Sequence, residues 1–108
     1  MTILTDINFN EEVEKYCKPV FIDFWSQWCE PCKIQMPIVE QIAKEFPDKI
    51  KMCKMEVSDN PEIPAKLQIL SIPALATIKN GKISQLKTGL QTKKSLKKML
   101  DDALIQRK

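Results

Sequence analysis

Residues 20–46 read VFIDFWSQWCEPCKIQMPIVEQIAKEF, and this stretch decides the fold. Val20 to Trp25 is apolar at every position except Asp23. A strand apolar on both faces belongs inside a sheet that is covered on both sides. Ser26-Gln27-Trp28 then makes a short turn, and from Cys29 to Phe46 the period becomes helical. Ile34, Ile38, Ile42 and Phe46 recur four apart, with Val39 and Ala43 beside them. Pro31 falls in the first turn, where a missing N–H costs nothing. Pro37 falls inside the pattern and predicts a kink.

The rest of the chain extends this α/β alternation. Thr2 to Thr5 reads as a short strand. Asn8 or Asn10 can cap a helix carrying Phe9, Val13, Tyr16 and Cys17, stopped by Pro19. Ile50 to Val57 is a second central strand, and Pro61 and Pro64 bracket a short, poor helix. Ala74–Lys79 and Lys82–Thr88 flank Asn80-Gly81, a strong hairpin signal. Thr92 caps a last helix with Leu96, Met99, Leu100, Ala103 and Leu104 inward and its lysines mostly outward. The order β-α-β-α-β-α-β-β-α predicts a mostly parallel central part and a terminal hairpin.

Composition bounds the function. The 108 residues predict one domain, residues 1–108, with no repeat and no linker. Lys and Arg number 17 and Asp and Glu 14, a net charge of +3 with both signs scattered. That is too mild to argue for nucleic acid. Apolar runs are too short to span a membrane. Met1 to Asp6 lacks a basic region followed by an apolar run, so no signal peptide is expected, and the cytoplasm is the expected location. In a reducing compartment the four cysteines are not expected to be structural disulfides. The chain has no His, which removes imidazole from any triad, metal site or acid–base step.

The chemistry lies at Trp28-Cys29-Glu30-Pro31-Cys32-Lys33. A zinc site needs two further ligands, and Cys17 and Cys53 stand alone, so no metal is expected. Haem attachment wants His where Lys33 stands. A redox pair fits the local physics. Cys29 sits at a helix start, where free N–H groups and the helix dipole favour a thiolate. Cys32 lies about one turn on, within reach of a disulfide. Cys29 is then the nucleophile that forms a mixed disulfide, and Cys32 resolves it. Asp23 interrupts the apolar strand and is either a satisfied structural carboxylate or a buried acid that exchanges a proton with Cys32.

Asp23-Phe24-Trp25, Trp28-Cys29-x-Pro31-Cys32-Lys33, Pro37, Lys54, Asn60-Pro61, Ile72-Pro73, Lys79-Asn80-Gly81 and Gly89 resemble the thioredoxin family in type and spacing, along nearly the whole chain. The resemblance implies the thioredoxin fold, a five-stranded mixed sheet flanked by four helices. It implies a dithiol electron carrier that reduces disulfide-containing proteins and is recharged by a thioredoxin reductase; no cofactor is expected, and a monomer is the default. It assigns proton transfer to Asp23 and places Lys54 near that carboxylate to tune it. Read alone, Lys54 is a lysine whose head snorkels to water. The resemblance also implies a cis bond at Pro73, exposing the Ile72 backbone to an extended substrate, and a docking collar of Trp28, Pro31, Ile72, Gly89 and Leu90. Trp25 fits core packing equally well, and the lysine face of the last helix reads as solvated.

Glu30 stands where the family most often has Gly, and it puts charge on the docking rim. A carboxylate beside Cys29 opposes its thiolate, which predicts a more reducing couple than a glycine would give. Ser58, Asp59, Ser71 and Ala74 also depart from the family's usual residues, and these changes bear on partner choice. Two other functions remain compatible with the residues: a disulfide oxidant or isomerase of an export compartment, and a redox-independent binding module.

Overall fold

The hydrophobic pattern of Val20–Trp25 resolves into two faces of one strand. Val20, Ile22 and Phe24 point into one apolar cluster, and Phe21 into another. In the computed structural model, which describes residues 1–46 and 49–105, this strand, β2 (Val20–Trp25), lies at the centre of a five-stranded sheet. Its neighbours are β3 (Lys51–Glu56), parallel, and β4 (Ala74–Lys79), antiparallel. The short β1 (Thr2–Leu4) pairs parallel with β3 at one edge, and β5 (Lys82–Thr88) pairs antiparallel with β4 at the other. The order β1-β3-β2-β4-β5 is the expected parallel core with a terminal hairpin.

Helices cover both faces. The α1 (Glu30–Ala43) and α3 (Lys93–Ile105) helices pack Val39, Ile42, Leu96, Met99, Leu100 and Ala103 against Phe21, Met52 and Leu75. The opposite cluster holds Phe9 and Val13, with Ile63 of α2 (Glu62–Lys66) and Leu67 at its margin. Among the described residues no helix is long and apolar enough to cross a membrane.

Four local expectations need correction. The helix expected around Phe9–Cys17 is a five-residue π-helical segment, Asn10–Glu14, closed by the Lys15 N–H donating to the Asn10 carbonyl at 3.0 Å. Asn8 does not cap a helix that follows it. Its side chain accepts from the Thr5 N–H at 2.7 Å while its own N–H donates to the Thr5 hydroxyl at 3.0 Å. This reciprocal arrangement is a capping box begun three residues earlier. On α1, the buried stripe is Cys32, Gln35, Val39 and Ile42, whereas Ile34 is exposed. A strict spacing of four drifts about 40° per step around a 3.6-residue helix, so Ile34 rotates out of the stripe that Ile42 joins. The helix ends at Ala43 rather than Phe46, and Pro37 lies inside it.

The hairpin follows its sequence signal. Asn80 and Gly81 have φ of 54° and 77°, the left-handed pair that a two-residue turn of this kind needs. A bulge at Thr77/Ile78 shifts the register beyond it.

Candidate active site

Cys29 is where β2 hands over to α1. Its backbone is extended (φ −104°, ψ 108°), which makes it the N-cap, and its sulfur accepts the Cys32 N–H at 3.3 Å. Glu30 and Pro31 form the first turn and Pro31 supplies the preset φ. The turn before it is held by three bonds. The Cys29 N–H donates to the Ser26 carbonyl at 3.1 Å, the Trp28 N–H to the Ser26 hydroxyl at 3.2 Å, and the Gln27 N–H to the Glu56 carboxylate at 2.9 Å. Cys29 and Cys32 are joined as a disulfide, with Cα atoms 5.2 Å apart. The two residues differ in access: Cys29 is half-buried and Cys32 is fully buried.

By strand alternation Asp23 lies on the sheet face that α1 covers. It is fully buried, and neither carboxylate oxygen has a hydrogen-bond partner. Desolvation therefore pushes its carboxyl up to about 7, against the opposing pull of the Lys54 charge. Lys54 is its direct neighbour across the parallel ladder and is half-buried. A pocket of about 320 Å³ is lined by Trp25, Cys32, Lys33, Met36, Pro37 and Lys54. It brings Cys32 and Lys54 to one cavity. Trp25 packs there half-buried, with its Nε1 buried and unpartnered.

The expected docking residues come from three separate loops. Trp28 is 78% exposed, and Glu30 and Pro31 are exposed beside it. The Ile72–Pro73 bond is cis, with Pro73 buried and Ile72 half-buried. Gly89 (φ 83°) donates its N–H to the Pro73 carbonyl at 2.8 Å, and Leu90 next to it is half exposed. The Glu30 carboxylate is not a lone charge, because Lys33 Nζ lies 3.1 Å from it. Both side chains are open to water, so the pair is weak in energy, but it offsets part of the repulsion expected at Cys29.

Elsewhere the two free cysteines differ. Cys17 is exposed, and Cys53 is buried, its thiol pushed up to about 12 by desolvation. The lysine face of α3 is less free than expected, since Glu45 pairs with Lys93 at 3.0 Å and Lys97 at 3.2 Å. Sequence reasoning missed two residues at the site's edge. Glu56 accepts the N–H groups of Gln27, Ser58 and Asp59 and holds the active-site turn to the loop after β3. Gln35 is a fully buried amide on the inner stripe of α1. Its signal was a polar residue at the i+3 position from Cys32, on the face that Val39 and Ile42 continue.

A half-accessible cysteine at a helix start, bonded to a buried partner one turn on and set in a sheet that buries an acid on the same face, defines a dithiol–disulfide oxidoreductase. The comparisons with known proteins agree. The Thioredoxin family profile matches residues 1–102. A thioredoxin of Rickettsia typhi is 46% identical over 93 residues, covering 86% of this chain and 89% of its own length. One from Rickettsia bellii is 47% identical over the same shares. One from Acidithiobacillus ferridurans is 40% identical over 94% of both chains. The chain belongs to the thioredoxin family, and its activity is the reduction of protein disulfides through the Cys29–Cys32 pair.

Proposed function

We propose that the chain works as a monomeric cytoplasmic electron carrier in which each site residue has a separate task, residues 1–108 acting as one domain. In the reduced form the Cys29 thiolate attacks one sulfur of a partner's disulfide. A Cys29–partner bond forms, and the partner's other sulfur leaves as a thiolate. Asp23, as the carboxylate, takes the Cys32 proton. The Cys32 sulfur then attacks Cys29, which closes the intramolecular disulfide and releases the second partner thiolate. Two electrons pass to the partner, and a thioredoxin reductase returns them. Lys54 tunes the charge on Asp23. Trp28, Glu30, Pro31, Ile72, Pro73, Gly89 and Leu90 form the surface on which the disulfide-bearing segment docks. No metal and no cofactor enter the scheme.

The observation that carries this reading is the unequal burial of the two cysteines, which leaves Cys29 open to a partner and keeps Cys32 for resolution. The test is the reduction potential of the pair against thiol buffers. Trp25 and Trp28 fluorescence is the readout, in a Cys17→Ser, Cys53→Ser background. A potential below the cytosolic glutathione poise is expected. A value well above it would mark an oxidant or isomerase, and no two-electron transition would mark a binding module.

A further inference from the structure

Gln35 is the one amide in the buried stripe of α1, and the thiol chemistry leaves it without a task. A Leu or Met would fill the same volume without desolvating an amide. Both ends of the side chain are bonded to the backbone of one residue, Gln91. Oε1 accepts the Gln91 N–H at 2.7 Å, and Nε2 donates to the Gln91 carbonyl at 3.1 Å. The amide thus does for Gln91 what a facing strand residue does in an antiparallel ladder. Two residues earlier, the Gly89 N–H is held by the Pro73 carbonyl at 2.8 Å. Leu90 therefore sits between two pinned backbone groups, with its side chain left half exposed. The Gln91 side chain closes the loop further. Its Nε2 donates to the Thr88 and Gly89 carbonyls at 3.3 and 3.2 Å, and its Oε1 accepts the Ser95 hydroxyl at 2.8 Å.

We propose that Gln35 is a positioning residue that sets the Gly89–Leu90 edge of the docking surface, and so governs affinity for protein disulfides without altering the sulfur chemistry. The inference rests on the docking role given above to Gly89 and Leu90. Gln35 stands one turn beyond Cys32 on the helix that Cys29 caps. The clamp therefore fixes the rim relative to the sulfurs through a single rigid element. An extended protein segment must meet Cys29 and Leu90 together, whereas a small disulfide needs Cys29 alone.

The test compares Gln35→Met with the unaltered chain, with dithiothreitol as electron source. Insulin is the protein disulfide and hydroxyethyl disulfide the small one. Amide hydrogen exchange at Gln91 should quicken. KM for insulin should rise about three- to tenfold, the worth of one or two backbone hydrogen bonds. The kcat, the rate on hydroxyethyl disulfide and the Cys29–Cys32 potential should stay within about twofold of their original values, a split that general loosening of the fold would not give. Should Gln35→Met not fold, Gln91→Ala, which loosens the same loop from its half-buried side, must raise KM for insulin in the same selective way. Leu90→Asp reports on the docking surface itself. A raised KM for Leu90→Asp with an unchanged KM for both clamp variants overturns the role of Gln35 alone. An unchanged KM for Leu90→Asp overturns the docking reading, and the inference with it.

Discussion

Asp23 is a costly residue. A carboxyl sealed inside the sheet with no hydrogen bond would be eliminated from a protein selected for stability alone. Its value lies in where burial puts it: a group pushed up to about 7 is near half-ionised at neutral pH, so it can take a proton and return it in one cycle. Lys54, opposite it in the ladder, works against the full effect of burial and keeps the ionised form within reach. Asp23→Asn keeps the shape and removes the proton acceptor. It should slow the attack of Cys32 on a Cys29 mixed disulfide about a hundredfold, the lower end of general-base contributions. Single-turnover release of a labelled peptide thiol measures this step. Its pH profile should lose the inflection near 7 in the variant, and a rate equal to that of the unaltered chain would deny Asp23 the role.

Elements set by local chemistry were the legible ones. The hairpin is the clearest, because Asn80-Gly81 specifies its own backbone. Gly81→Ala should cost about 1 kcal/mol in urea unfolding from the left-handed backbone alone. Space is not the obstacle, since nothing lies within 4 Å of where the new Cβ would stand. β2 and α3 were equally readable from apolar runs and from period. The segment at Asn10–Glu14 was not, because an apolar i, i+4, i+7 pattern does not distinguish a regular helix from a π-helical turn begun by the Thr5–Asn8 box. The inner stripe of α1 was misread for a related reason: four isoleucine and phenylalanine positions outweighed the polar Gln35, although Ile34 faces water. At the site, the two cysteines were readable from their motif and helix start. Lys54, Ile72 and Gly89 were named only by the family resemblance, because their own local pattern marks none of them as site residues. Nothing in spacing alone links residue 73 to residue 89, which meet where the Gly89 N–H donates to the Pro73 carbonyl.

For the molecule as a whole, Asp23 ties function to stability. Its carboxyl titrates near 3.8 in the unfolded chain and about 7 in the fold, so between those values the folded state holds a proton that the unfolded state has lost. Stability from this group is fully present below about pH 4 and is lost as pH rises toward about 7, on the order of 4 kcal/mol across the window. Glu56 has the opposite sign. Desolvation raises its carboxyl, but the bonds from Ser58, Gln27 and Asp59 outweigh this and hold it below the usual range, so its contribution fades only in more acidic solution. Urea midpoints from about pH 4 to 8 should therefore decline for the unaltered chain and flatten for Asp23→Asn. An equal decline in both would place the titration elsewhere. The sheet's two edges carry a different consequence. An open sheet invites a stray strand to add itself, the first step toward a fibril. Here one border is only three residues long, and the other is charged by Lys82 and Lys87 and departs from regular register at the bulge. A protein that we propose takes extended segments at one rim therefore gives them little to grip at either border, which favours release over accretion.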